Sequence, residues 1–312
     1  MVDLLLGADV GGSSTRLAVA TAADGVVAVA QSGPGNPNLV GLDGSARVIR
    51  AAAERALAGV DGIVALAVLG LAGGSRAHRA PGFLTAALPA RVQGRAVLVS
   101  DLAVSFSSAT PATTGCVLIA GTGAVAARLV ADELQDRQDG WGWLLGDRGS
   151  GFWLGRAAVR LTLATIDAGA PPGRLAADVL REAGATDYLT LLQACYDHPP
   201  TWLAGFAPLV SRWADSDDDA AAIADRAASL LAQTLSDVRP RPGEPLVLGG
   251  SVLATPGPVR TRLMTRLPPG LTVRAAESGV VGATWIAARR TGLASAALHE
   301  RLSATVATAP RR

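Results

Sequence analysis

The sequence contains no lysine: all 28 of its basic residues are arginine. That absence removes whole classes of chemistry. A phosphate loop ending in Gly-Lys-Ser/Thr has no lysine to use. A protein-kinase fold lacks its strand lysine, and Schiff-base catalysis lacks its amine side chain. Cysteine is scarce as well. Cys116 and Cys195 are the 2 cysteines, and without close spacing they suggest neither a disulfide framework nor a thiolate zinc site. The 3 histidines, His78, His198 and His299, show no metal-ligand spacing. The net charge is only +2, and no basic stripe interleaved with aromatics appears, so no nucleic-acid partner is expected. No apolar run reaches membrane-spanning length, and Met1-Val2-Asp3 leads straight into a strand rather than a signal peptide. The expectation is a cytoplasmic protein with no membrane partner. Aromatics make up 4% of the chain, which leaves Ala, Val, Leu and Gly to fill the core.

The chain has 312 residues, of which 49% are hydrophobic and 17% charged, enough for two cores. Leu4–Leu6, Arg16–Ala20 and Val26–Gln31 read as strands in a hairpin series, with a turn signal at Asp24-Gly25. A helix is expected over Ser45–Ala58, from the spacing of its apolar residues. Strands follow at Ile63–Leu71 and Val97–Val99, then a helix at Leu102–Ala109. Pro111–Gly115 is a breaker and a candidate boundary. The order strand, glycine turn, strand then repeats: Val117–Ala120 and Ala124–Val130, with a charged hairpin tip at Asp132–Asp139. Helices are expected at Phe152–Ala168, Leu175–Ala183, Tyr188–Ala194 and Ala220–Val238, and a late strand at Leu246–Leu248. This alternation predicts an α/β fold in two lobes, residues 1–110 and 111–312, with the last segment either packing back on the first lobe as a helix or fraying.

Two glycine-rich loops stand out, each tied to an aspartate. Asp9 is followed by Gly11, Gly12, Ser13, Ser14 and Thr15, and Gly121-Thr122-Gly123 lies beyond Ser100-Asp101. Glycine lets backbone N–H groups approach a phosphate, and hydroxyls add donors. One such loop per lobe predicts a phosphate group held between lobes and an ATP-dependent phosphotransferase, with Asp9 placing Mg²⁺ through water. Asp101 closes an apolar strand, where it serves either as a helix N-cap or as a base that takes a hydroxyl proton. The stretch Asp139–Trp153 gathers three tryptophans and five glycines: a sugar platform beside a carboxylate, or a glycine-rich loop whose rings fill the core. Gly249-Gly250-Ser251 is either an adenosine contact or an ordinary turn. Asn36 sits in a stiff Gly-Pro-Gly-Asn-Pro loop, with a fixed amide suited to sugar hydroxyls.

Taken in this order, the motifs resemble the BadF/BadG/BcrA/BcrD-type ATPase family, and within it the N-acetylglucosamine kinases, from Leu4 to about Arg289. The resemblance implies the actin/hexokinase/Hsp70 fold: two RNase H-like lobes with an interlobe nucleotide cleft. It also implies ATP and Mg²⁺ as cofactors, a small-molecule sugar phosphorylated at its 6-hydroxyl, and a homodimer. By matching positions, Asp9, Gly11, Gly12 and Ser13 form the first phosphate loop, Gly121, Thr122 and Gly123 the second, and Gly249, Gly250 and Ser251 meet adenosine. Asp101 matches the catalytic base, while Asn36, Trp141, Gly142 and Asp147 match sugar-binding positions. The chain departs from the pattern at the sugar end. Ala124-Val125 replaces a Ser-Asn pair that contacts the amino sugar in the animal enzymes. Trp143 stands where His is usual, and Arg148 where Glu is usual. Glucosamine, N-acetylmuramic acid or glucose as the substrate, and a non-catalytic sugar sensor, are the alternatives. The radical-dehydratase activators of the same family need cluster-binding cysteines that Cys116 alone does not supply.

Overall fold

The computed structural model describes residues 2–92 and 94–312; of Ser75 and Arg76 it describes the backbone alone. Two compact units emerge. The first runs to Thr114 and takes in Leu129–Leu134 and Ala276–Arg312; the second holds Gly115–Arg128 and Gln135–Ala275. Residues 276–290, placed in the second lobe by the sequence reading, count with the first, and so does the last segment, 291–312, for which packing back on the first lobe was one of two alternatives.

In the first unit β1 (Asp3–Val10), β2 (Thr15–Thr21) and β3 (Gly25–Ser32) form an antiparallel meander. After α1 (Pro37–Leu57), β4 (Ile63–Leu71) adds in parallel to β1. The short helices α2 (Ser75–His78) and α3 (Phe83–Ala87) lead to β5 (Ala96–Ser100), parallel to β4, and then α4 (Asp101–Ala109). The sheet order is β3-β2-β1-β4-β5. The central strands read as continuous apolar runs because both faces are covered: Leu4, Leu5, Leu6 and Ala8 of β1 are all fully buried. The expected helix start at Ser45 has a counterpart in the backbone: α1 is interrupted at Gly41, whose φ of 73° is left-handed.

The second unit repeats the plan. It comprises β6 (Gly115–Ala120), β7 (Ala124–Val130), β8 (Glu133–Asp139), α5 (Gly151–Asp167), α6 (Arg174–Ala183), α7 (Tyr188–Asp197), a 3₁₀ segment (Pro200–Phe206), α8 (Ala207–Trp213), α9 (Asp218–Asp237), β9 (Pro245–Gly249), α10 (Pro258–Met264) and β10 (Thr272–Ala275). Its sheet order is β10-β9-β6-β7-β8, so β6 to β10 take the places of β1 to β5. This is the α/β fold of two RNase H-like lobes that the motif order predicts. The hairpin tip is shorter than expected. Only Ala131 and Asp132 turn, both at positive φ, while Glu133–Asp139 is an edge strand whose polar residues, the buried Asp139 excepted, are exposed or half-buried.

Each unit has its own core. That of the first gathers around Leu4, Leu6, Leu17, Ile49, Leu69 and Leu88. That of the second gathers around Leu118, Leu154, Val179, Phe206, Leu231 and Leu246. Arg128 of β7 lies inside the second, forked on Glu244 at 2.8 and 2.6 Å and donating to the Arg239 carbonyl at 3.1 Å. The chain ends in α11 (Gly279–Arg290) and α12 (Ala296–Thr305), both in the first unit. Gly282 lets α11 lie directly on α4, since a Cβ there would strike the Val104 carbonyl. Among the described residues, no helix is long and apolar enough to cross a membrane.

Candidate functional site

The first unit collects its candidate residues at the carboxyl ends of its strands, where ligands bind in open α/β sheets. Asp9 is the penultimate residue of β1, paired in register with Arg16 of β2. The next residues make a tight turn closed by the Gly11 N–H on the Ser14 carbonyl at 2.9 Å, which leaves Gly12 and Ser13 exposed. The Gly11 carbonyl in turn accepts the N–H groups of Gly35 and Asn36, both at 3.1 Å, so the Pro/Gly loop is stitched to this turn. Asn36 is the N-cap of α1, its Oδ1 accepting the Asn38 N–H at 2.9 Å.

Asp101 opens α4 directly after β5. The cap is Ser100, whose Oγ accepts the Leu102 N–H at 3.2 Å and donates to Asp101 Oδ1 at 3.3 Å. Capping is done by its neighbour, and beyond the Ser100 hydroxyl bond the Asp101 carboxylate keeps further acceptor capacity. Burial pushes its carboxyl up to about 6, and the negative charge of Asp9 adds to the rise. Burial also raises Asp9, with Arg16 pulling the other way. Two carboxylates that disfavour each other's charge suit a divalent cation. Among the described residues no cluster of three or more His, Cys, Asp or Glu side chains forms a cage, so a metal held here would rest mostly on water and ligand oxygens, with Asp9 reaching it through water. Mg²⁺ accepts that donor set.

In the second unit the loop after β6 and the loop after β9 meet. The Gly121 N–H donates to the Gly123 carbonyl at 2.9 Å, and the Gly121 carbonyl accepts from Gly151 at the start of α5 at 2.7 Å. Gly250, at φ 79°, packs so closely on Ala120 that a Cβ would collide with its carbonyl. Gly121, Thr122 and Ser251 thereby border one cavity of about 360 Å³, which the sequence reading did not anticipate beyond these three. Its remaining lining comes from the start of α5, the 3₁₀ segment, α8, Val252 and the Thr255-Pro256-Gly257-Pro258 turn. That Pro/Gly run, just after Gly249-Gly250-Ser251, was its visible trace in the sequence.

The tryptophan-glycine stretch closes on the same loop from another side. Asp147 is buried at a φ of 57° and accepts the Ala124 N–H at 3.1 Å. Burial raises its carboxyl, with the N–H groups of Ala124 and Gly142 opposing. Ala124 is itself buried, its N–H committed to Asp147, and the Val125 side chain packs on Gly140. Trp141 and Trp143 are 58% and 41% exposed, so these rings do not fill the core. Asp139 passed without a role in the sequence reading. It is completely buried and accepts the N–H groups of Asp147 at 2.7 Å and Arg148 at 2.9 Å, with the Arg148 guanidinium 3.5 Å away. It fixes the backbone that carries Asp147.

This chain is 24% identical over 179 residues to a Clostridium acetobutylicum protein named N-acetylmuramic acid/N-acetylglucosamine kinase, covering 56% of this chain and 58% of that one. It is 33% identical over 125 residues to the N-acetyl-D-glucosamine kinase of Dictyostelium discoideum, covering 38% and 39%. Both matches thus span less than two thirds of the relative's length. A solved structure from Chromobacterium violaceum, described as a candidate N-acetylglucosamine kinase, superposes with a TM-score of 0.73 at 25% identity, covering 92% of this chain and 99% of that one. The sequence profile of the BadF/BadG/BcrA/BcrD ATPase family matches residues 6–287, nearly the whole of both units, and the chain is a member of that family.

Proposed function

We propose that the protein is an ATP-dependent sugar kinase that phosphorylates the 6-hydroxyl of an amino sugar, N-acetylglucosamine first among them. The observation that carries this is Asp101: a carboxylate at a strand end, pushed up to about 6 by burial and by the charge of a second carboxylate, Asp9. A general base is most effective when its pKa lies close to the working pH. The names of the similar proteins support the substrate class.

In this reading Asp101 takes the proton of the sugar hydroxyl as that oxygen attacks the γ-phosphorus. Asp9 holds Mg²⁺ through water, and bound Mg²⁺ neutralises charge on the phosphate oxygens. The N–H groups of Gly12 and Ser13 in the first unit and of Thr122 and Gly123 in the second are the phosphate donors, while Gly11 and Gly121 spend theirs on closing the two loops. Gly249, Gly250 and Ser251 border the nucleoside. Trp141 offers a ring face to the sugar, and Asn36, Gly142 and Asp147 belong to its polar contacts. A homodimer in a reducing cytoplasm, where Cys116 and Cys195 stay as free thiols, completes the reading. Mass spectrometry and ³¹P NMR of N-acetylglucosamine incubated with enzyme, ATP and Mg²⁺ test it. A 6-phosphate is expected, and none from the 6-deoxy sugar; a product phosphorylated elsewhere overturns the proposed chemistry.

A further inference from the structure

On the kinase reading above, on which this inference rests, the orientation of the Asp101 carboxylate decides turnover. The terminal torsion of an aspartate is soft, a broad two-fold well rather than a sharp rotamer. A base, however, must hold one oxygen within hydrogen-bond reach of one proton. Ser100 supplies the restraint. It closes β5 and stands at the N-cap of α4 in extended backbone, φ −67° and ψ 142°. Its Oγ accepts the Leu102 N–H at 3.2 Å, which pins the hydroxyl to the first turn of the helix. The hydroxyl proton is then directed at Asp101 Oδ1, 3.3 Å away. An ionised carboxylate only accepts, so the direction of this bond is fixed.

Of the groups that favour the charged form of Asp101, the Ser100 hydroxyl does most, ahead of the N–H groups of Leu102 and of Asp101 itself. Among the described residues no other side chain donates to this carboxylate. Catalytic bases are commonly oriented by such a third group. We infer that Ser100 is a positioning residue of the phosphoryl transfer: it ties down Oδ1 of Asp101 and leaves Oδ2 as the oxygen that receives the sugar proton. One hydroxyl thus starts the helix and aims the base.

Three substitutions in the full chain separate the two roles. Ser100→Ala loses the cap and the donor. Glycine caps nearly as well as serine, so Ser100→Gly loses chiefly the donor. Ser100→Thr keeps both. With ATP, Mg²⁺ and N-acetylglucosamine, kcat should fall about tenfold or more in the Ala and Gly variants alike, since a misplacement of about 1 Å costs up to a hundredfold. The sugar dissociation constant should hold, and Ser100→Thr should recover most of the lost turnover. Only Ser100→Ala should melt clearly lower. Wild-type kcat in Ser100→Gly makes Ser100 a cap alone and overturns the inference, leaving the kinase reading standing. A double-mutant cycle tests the route of action. Because Ser100 acts through Asp101, adding Ser100→Gly to Asp101→Asn should slow turnover no further, whereas additive losses overturn the inference. Absence of sugar-dependent turnover in the wild type overturns the kinase reading and the inference together.

Discussion

The carboxylate of Asp9 lies against the backbone of Gly279, where β1 ends and α11 begins: a Cβ at 279 would collide with Asp9 Oδ2. Ser278, the N-cap of α11, makes no side-chain cap, so Asp9 brings negative charge to an uncapped helix start, which a helix N-terminus favours. Gly279 is therefore a determinant of where the carboxylate points. Gly279→Ala should displace Asp9 and lower kcat by about tenfold or more, since a misplacement of about 1 Å costs up to a hundredfold. Sugar affinity should hold, measured by titration without nucleotide. Unchanged kcat would show that Asp9 need not stay where it is.

Asp101→Asn keeps the shape and removes the base. Turnover should fall by about 10² to 10⁴, the usual contribution of a positioned base, with the sugar dissociation constant nearly unchanged. In the wild type, kcat/KM should rise with pH through about 6, because Asp101 must lose its proton before it can accept another. A pH–rate profile flat from 5 to 8 would remove Asp101 from the role.

The same titration has a stability consequence with a definite sign. Asp101 moves from 3.8 to about 6 on folding, so the fold holds that proton more tightly than the unfolded chain. The stabilisation is fully present below pH 3.8 and is lost as pH rises through about 6. Asp101→Asn should therefore be more stable than the wild type at pH 7.5, by about 1–3 kcal/mol, and no more stable at pH 4. Thermal melts at the two pH values check this.

Much of this layout was legible in the sequence, for reasons that differ between elements. The buried strands β1, β4 and β6 announce themselves as apolar runs because both their faces are covered. Edge strand β8, Glu-Leu-Gln-Asp-Arg-Gln-Asp, has almost nothing to bury and so read as a charged tip. Helices α8 and α10 are seven residues each, too short to show a period. Ser100 and Asp101 are both good caps, and only the backbone decides that Ser100 does the capping. Asp139 looked like one more surface charge. Its burial depends on the turn at Gly140 and on Gly146, where a Cβ would strike its Oδ1, and that is a tertiary fact.

Asp139 provides a further test. Asp139→Ala strands the N–H groups of Asp147 and Arg148 and should cost about 3–6 kcal/mol, the sum of two charge-assisted bonds. Asp139→Asn keeps one acceptor and should recover most of that stability. Both variants should raise KM for the sugar more than KM for ATP. Equal effects on the two constants would make Asp139 a stabilising residue only.

In the second core, Glu244→Gln leaves the buried guanidinium of Arg128 without its counter-charge. Removing one partner of such a pair costs about 3–5 kcal/mol, so the melting temperature should fall clearly. Activity per folded molecule should persist, because neither residue lines the cavity.

The most direct measurement is ADP release with ATP and Mg²⁺ across N-acetylglucosamine, glucosamine, N-acetylmuramic acid, N-acetylmannosamine, glucose and no sugar, run on the wild type and on Asp101→Asn. The account predicts release that depends on one amino sugar in the wild type and is nearly abolished in the variant. Release that ignores every sugar, or that survives intact in Asp101→Asn, would contradict it.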